Sequence, residues 1–145
     1  MTAARVRRLL EEVTGAWVAD PVSDVVWAGD YEGRRGVRLR PGSGEMSTVW
    51  WQVGDLTLRV EAYLLSAPPP DRREEVYRQC LARNAGGRRL HLALDRHGDV
   101  VLVGRLPLTE VDAQELELLL GEAHEALEVA RPALARAAFE REKNS

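Results

Sequence analysis

Apolar and polar residues alternate from Thr48 to Val53 and again from Leu56 to Leu64, the period of strands with one face in a core. Between the runs, Gly54-Asp55 has the chemistry of a two-residue type II′ hairpin loop. Closing that loop at Val53 and Leu56 sets Trp51 opposite Leu58 and Val49 opposite Val60. Val49, Trp51, Val53, Leu56, Leu58, Val60, Ala62 and Leu64 then share the core face. The reverse face carries Trp50 opposite Arg59, a cross-strand cation–π pair worth up to about 1 kcal/mol, with Thr57, Glu61 and Tyr63 nearby. A second hairpin turns at Arg96-His97-Gly98. A three-residue loop with Gly98 left-handed aligns Leu90, Leu92, Leu94, Val100 and Leu102 inward. His91, Ala93, Asp95, Val101, Val103 and Arg105 take the other face, where Ala93, Val101 and Val103 form an aliphatic patch that needs a cover.

A helical period governs the remaining segments. Val6, Leu9, Leu10, Val13 and Trp17 form one stripe of a first helix over about residues 3–18. Gly15 costs that helix roughly 1 kcal/mol, which favours fraying of its last turn, and Asp20-Pro21 stops it. Pro68-Pro69-Pro70 is an extended spacer. Asp71 is placed to cap a helix to Asn84, with Glu74 and Glu75 in its first turn and Val76, Cys80 and Leu81 as its stripe, flanked by Tyr77. Asn84-Ala85-Gly86-Gly87 ends it. Thr109 and Asp112 resemble a capping box opening a long final helix, about 110–140, which Pro132 must kink. Its stripe runs through Val111, Leu116, Leu119, Leu120, Ala123, Leu127 and Ala130, and the tail Glu140-Arg141-Glu142-Lys143 frays. Residues 19–47 give the weakest signal: Val25-Val26-Trp27 and Val37-Arg38-Leu39-Arg40 read as a loose hairpin interrupted by Gly29, Gly33 and Gly36, followed by a turn at Pro41-Gly42-Ser43-Gly44. The expected architecture is α+β: one domain over 1–145 with an antiparallel twisted sheet of about five strands and three helices, in the order α-β-β-β-α-β-β-α.

Composition narrows the functional classes. A chain of 145 residues has the length of one domain. No apolar run approaches the roughly 18 residues of a membrane span, and Leu9-Leu10 is followed at once by Glu11-Glu12, so no signal-peptide core forms. The expected setting is cytoplasmic, with no membrane partner. Cys80 is the single cysteine, which leaves no internal disulfide, no redox pair and no multi-thiolate zinc site. A net charge of −3 argues against a dedicated nucleic-acid binder. The charge is uneven, however: Arg34, Arg35, Arg38 and Arg40 form a basic segment, whereas the last third carries many glutamates.

No motif for chemistry outweighs its ordinary reading. Gly42-x-Gly44 precedes a strand, where a dinucleotide fingerprint would open a helix. Asp95, His97 and Asp99 sit at a hairpin tip, where alternating polar residues are solvated. His91 and His124 read as structural, and neither a G-x-S-x-G nor an H-E-x-x-H sequence occurs. No catalytic residue, cofactor or metal is expected. The basic segment, with Trp27, Tyr31 and Trp50, is the best case for direct nucleic-acid contact, since charge interleaved with aromatics suits single strands. Asp30, Glu32 and Glu45 dilute it.

Four stretches carry a family resemblance: Leu58-Arg59-Val60-Glu61-Ala62-Tyr63; Glu75-Val76-Tyr77-Arg78 with Leu81-Ala82-Arg83-Asn84; the string Leu94-Asp95-Arg96-His97-Gly98-Asp99-Val100-Val101-Leu102-Val103-Gly104-Arg105; and Leu106 to Val111 with Glu115. Over roughly residues 48–130 the chain resembles the YbjN family of bacterial proteins, while the first 45 residues carry no signature of it. The resemblance implies a fold similar to type III secretion chaperones, a homodimer without catalytic activity, and a regulatory or stress-response role. It suggests a chaperone-like module holding a segment of a client protein. Candidate partner or dimer contacts are Trp50, Tyr63, Val76, Tyr77, Ala93, Val101 and Val103, with the helix from Asp71 to Asn84 as an alternative dimer surface. Two other readings stand beside it: a nucleic-acid-associated regulator acting through Arg34, Arg35, Arg38 and Arg40, and a small-molecule sensor with a pocket between the final helix and the sheet.

Overall fold

A computed structural model describes residues 2–42 and 44–140; Ser43 and the charged tail past Glu140 lie outside the described residues. Helix α1 (Ala3–Ala19) leads into strands β1 (Val25–Tyr31), β2 (Arg34–Leu39), β3 (Ser47–Val53) and β4 (Thr57–Leu65). Helix α2 (Arg73–Asn84), strands β5 (His91–Leu94) and β6 (Val100–Pro107), and helices α3 (Ala113–Glu125) and α4 (Arg131–Phe139) complete the chain. A π-helical turn, Ala126–Ala130, joins α3 to α4 as one long element. The sheet is antiparallel, in the order β1-β2-β3-β4-β6-β5. It has six strands where about five were expected.

The added regularity comes from the segment expected to be a loose hairpin. Glu32 and Gly33 both take positive φ, 50° and 77°, as the two-residue turn of a tight, right-twisting hairpin requires. Gly29 and Gly36 do not break the strands. They face each other across the β1–β2 ladder, under indole rings that would collide with any Cβ: one added at Gly29 would lie 2.4 Å from Trp27, and one at Gly36 2.9 Å from Trp50.

The first expected hairpin register is corrected by two residues. Val53 pairs with Leu58, Trp51 with Val60 and Val49 with Ala62. Gly54 donates its N–H to the Thr57 carbonyl at 2.9 Å and is not in the left-handed region. The turn is thus longer than the expected type II′ loop and leaves Leu56 81% exposed. A shift of two conserves the facing of every strand residue. The core face survives without Leu56, but Trp50 meets Glu61 rather than Arg59. The second hairpin matches expectation, with Gly98 at φ +82° and Leu94 opposite Val100, although Leu94 itself is half exposed at the edge strand.

All the helices pack on one face. Val6, Leu10 and Trp17 of α1, Val76 and Cys80 of α2, and Leu116, Leu119, Ala123, Leu127 and Leu134 of the final element join Val37, Val49, Trp51, Val60 and Leu102 of the sheet in a single core. Helix α1 lies on β1 to β3, and α2 packs between β5 and α4. Helix α1 continues through Gly15 to Ala19 without fraying, held by Thr14, whose hydroxyl donates to the Leu10 carbonyl at 2.7 Å. Two expected caps differ. Asp71 falls within a 3₁₀ turn, Pro70–Arg72, and α2 has no side-chain cap. Asp112, not Thr109, caps α3, accepting from the Glu115 N–H at 2.8 Å. Pro132 does not break the element; it follows directly on the π-helical turn, whose altered hydrogen-bond spacing accommodates the missing donor. Among the described residues, no helix is long and apolar enough to cross a membrane.

Candidate functional site

Because every helix lies on one side, the opposite face of the sheet is roofed by no element among the described residues. Strand alternation and the observed registers define its contents row by row. The central row runs Gly29, Gly36, Trp50, Glu61, Val103 and His91 from β1 to β5. On one side of it lie Trp27, Arg38 and Thr48, continuing toward Tyr63, Val101 and Ala93. On the other lie Tyr31 and Arg34, with Gln52, Arg59 and Arg105. Four of the chain's eight aromatic residues, Trp27, Tyr31, Trp50 and Tyr63, stand on this uncovered face.

The glycine pair explains how these aromatics are arranged. Without side chains at positions 29 and 36, the Trp27 and Trp50 rings rest directly on the sheet backbone. Their outer sides are capped by arginines: the Arg34 guanidinium sits 4.3 Å from the Trp50 ring centroid, and that of Arg38 5.4 Å from Trp27. Tyr31 leans on Trp50 with ring centroids 6.1 Å apart. Sequence reasoning placed Arg59 against Trp50; the two-residue register shift gives that position to Arg34. Arg59 instead pairs with Glu61 at 3.4 Å.

The candidates named from sequence divide accordingly. Trp50, Tyr63, Ala93, Val101 and Val103 are brought together on the uncovered face. The aliphatic patch is smaller than expected, because Val101 is wedged between Tyr63 of β4 and Ala93 of β5 and only 6% exposed. The open part of the face is aromatic and cationic instead. Val76 is fully buried in its own chain's core, so it offers nothing to a partner, and Tyr77 is half buried beside it. The basic segment splits between faces. Arg34 and Arg38 point outward, whereas Arg35 turns inward, donating from Nε to the Thr14 hydroxyl at 3.0 Å and pairing with Asp30 at 3.4 Å. Arg40 is exposed just past the end of β2, its N–H donating to the Asp24 carbonyl.

An open groove of about 390 Å³ lies on this face above Thr48, between Trp50, Tyr63 and Arg38, and runs to Glu45, Met46 and Arg131 at its end. The small side chain of Thr48 amid larger neighbours creates it. Desolvation and the nearby Asp99 and Asp95 carboxylates push the Tyr63 phenol up from its usual value, keeping it a neutral hydrogen-bonding group.

Elsewhere polar groups are committed to structure. Asp95 accepts from the His97 and Asp99 N–H groups at 2.8 and 3.0 Å, and Asp99 from the Ala67 N–H at 2.8 Å. A cluster that sequence spacing did not reveal, Asp24, His124 and Glu128, joins a loop to the final helix. His124 Nε2 lies 2.7 Å from Asp24, Glu128 accepts from the Gly42 N–H, and one turn on Arg131 donates to the Glu45 carbonyl at 2.8 Å. This stripe ties the π-helical turn to the loops flanking β1 to β3. The hollow between α2, β5 and the final element, where a small-molecule pocket was considered, has an Arg88–Glu125 ion pair at its rim.

Comparison with solved structures defines the class. The heterodimeric ExoU–SpcU complex of the Pseudomonas aeruginosa type III secretion system contains a chain that matches with a TM-score of 0.54 at 18% identity, over 87% of this chain and 98% of that one. The protein therefore has a type III secretion chaperone-like α+β fold. The YbjN family model, described as "Putative bacterial sensory transduction regulator", matches residues 4–136. The chain belongs to the YbjN family, and the match extends through the N-terminal region that had carried no recognisable signature. An uncharacterized protein of Mycobacterium tuberculosis is 42% identical over 79 residues, 52% of this chain and 41% of that protein. One of Mycobacterium leprae is 36% identical over 89 residues, 61% of this chain and 48% of its own length. The match thus spans less than half of either relative.

Proposed function

We propose that this protein is a non-enzymatic, chaperone-like binding module that holds an extended segment of a client or regulatory partner against the uncovered face of its sheet. The observation that carries this reading is the face itself: a broad antiparallel surface without a helical roof, bearing half the chain's aromatic residues and a groove beside Trp50 and Tyr63. Rigid aromatic anchors with arginines around them are the composition of binding hot spots. The fold likeness to a chain of a heterodimeric type III secretion complex supports the same reading, as does membership of a family described as regulatory. The proposed setting is cytoplasmic, in a regulatory or stress-response role.

The proposed assembly is a homodimer through α2, leaving the sheet to the client. Tyr77 and Leu81 are the accessible apolar side chains of that helix, and a standard interface needs about 800 Å² per partner. Light scattering after size exclusion tests the dimer; a monomer at all concentrations overturns it. A photo-crosslinking residue placed at Tyr63 or at Glu117, in the producing cell, tests the client surface. The reading expects protein adducts from Tyr63 and none from Glu117 on the helical side. No adducts from Tyr63, or equal labelling from both positions, overturns it.

A further inference from the structure

The uncovered face differs in charge from the rest of the molecule. The chain as a whole carries −3, yet Arg34, Arg38, Arg59 and Arg105 share this face with a single strand carboxylate, Glu61, while Glu45 stands at the far end of the groove beside Arg131 and Asp95 and Asp99 approach only from the hairpin beyond Tyr63. Among the described residues Arg59 pairs with Glu61, but Arg34, Arg38 and Arg105 have no carboxylate partner within 4.0 Å and donate no hydrogen bond. On the helical side Arg88 pairs with Glu125 and Arg89 with Glu115, so the clustering of unpaired arginines on one face, rather than the lack of a partner by itself, distinguishes the sheet surface. A guanidinium over an indole face still carries five N–H donors in its own plane, which the ring does not satisfy. Arg34 over Trp50 and Arg38 over Trp27 are therefore positioned donors without a carboxylate partner. Four residues apart on β2, they stand about 13 Å from each other.

From this charge complementarity, and resting on the function proposed above, we propose that the face selects an extended acidic segment of a partner protein. An apolar side chain of the segment packs on Trp50 at the edge of the groove above Thr48, and carboxylates on either side meet Arg34 and Arg38. A strand-like peptide repeats its side chains on one face every 6.6 Å or so, so residues four apart match the spacing of the two arginines along β2, and the residue between them lies over Gly36 and Trp50, at the edge of the groove. Single-stranded nucleic acid would also supply anions, but it gains affinity by stacking bases on free aromatic faces. Here the Trp50 indole has the Gly36 backbone beneath it and the Arg34 guanidinium above, while Trp27 keeps an exposed edge, so an oligonucleotide serves as a competitor in the test.

The test uses the full chain and three fluorescein-labelled probes: a ten-residue peptide with Glu-x-Leu-x-Glu at its centre, the same peptide with Gln in place of Glu, and a twenty-nucleotide oligo-dT. Fluorescence anisotropy at 25 and 500 mM NaCl should show the acidic peptide binding at least tenfold more tightly than the Gln peptide, with the difference shrinking at high salt. An Arg34→Gln/Arg38→Gln variant should lose that difference, and Arg34→Lys/Arg38→Lys should restore part of it, with a cooperative melt lowered by no more than about 5 °C showing that the fold is intact. Equal binding of both peptides overturns the charge selection while leaving the client-binding face standing. Tighter binding of oligo-dT than of the acidic peptide overturns it in favour of a nucleic-acid surface. No binding of either peptide also overturns it, and the crosslinks from position 63 then decide separately whether any client uses the face.

Discussion

The pairing of Trp50 offers a direct measurement of the β3–β4 register and of the uncovered face together. In the structure the ring is stacked by Arg34, 4.3 Å from its centroid, while Arg59 is one row away and bound to Glu61 at 3.4 Å. A two-residue hairpin loop would have placed Arg59 on the ring instead. The perturbation is a double-mutant cycle of Arg34→Met, which keeps the aliphatic stem, with Trp50→Leu, which keeps apolar bulk. Both residues are half buried, so the coupling should be that of a partly exposed cation–π contact, about 0.5–1 kcal/mol. With a urea dependence of about 2 kcal/mol per molar, this is a non-additive shift in midpoint of roughly 0.25–0.5 M, resolvable in replicate unfolding curves. The same cycle with Arg59→Met should give coupling near zero. Equal or larger coupling to Arg59, or none to Arg34, would refute both the register and the stacked arrangement.

Other expected outcomes follow from burial and backbone geometry. Leu58→Ala should cost about 2–5 kcal/mol in chemical denaturation, whereas Leu56→Ala, two residues earlier in the same alternation, should change stability by less than about 0.5 kcal/mol, because Leu58 is buried and Leu56 is not. Gly98→Ala, forced to φ +82°, should lower stability by about 1–2 kcal/mol; an unchanged midpoint would show that the hairpin loop differs. Burial pushes the Cys80 thiol above its ordinary value of 9.0, with Arg83 pulling weakly the other way. The raised value favours the protonated thiol in the folded state, so its contribution is complete below pH 9 and lost as pH rises through the folded value. Cys80 should accordingly react with a disulfide reagent at pH 8 only on unfolding, and Cys80→Ala should lessen the fall in stability in alkali.

The sequence by itself determined the facing of the sheet. Side chains alternate along a strand whatever its partner, so Val49, Trp51, Val60 and Leu102 were bound to one side and Trp50, Tyr63 and Val103 to the other once strands were assigned. The helical stripes at Val6, Leu10 and Trp17 and at Leu116, Leu119 and Ala123 were legible for the same reason. Partner identity across strands was not. A slip of two preserves every facing, so only the longer turn at Gly54 to Thr57 decides that Trp50 meets Glu61 and yields its ring to Arg34. Gly29 and Gly36 read as strand breakers because a linear pattern cannot show what lies above a missing side chain; the tertiary structure makes them the floor beneath two indoles. The joining of Asp24 to His124 across 100 residues likewise depends on packing that no local spacing encodes. Local periodicity chose which side chains are hidden, and three-dimensional register chose which exposed ones stand together.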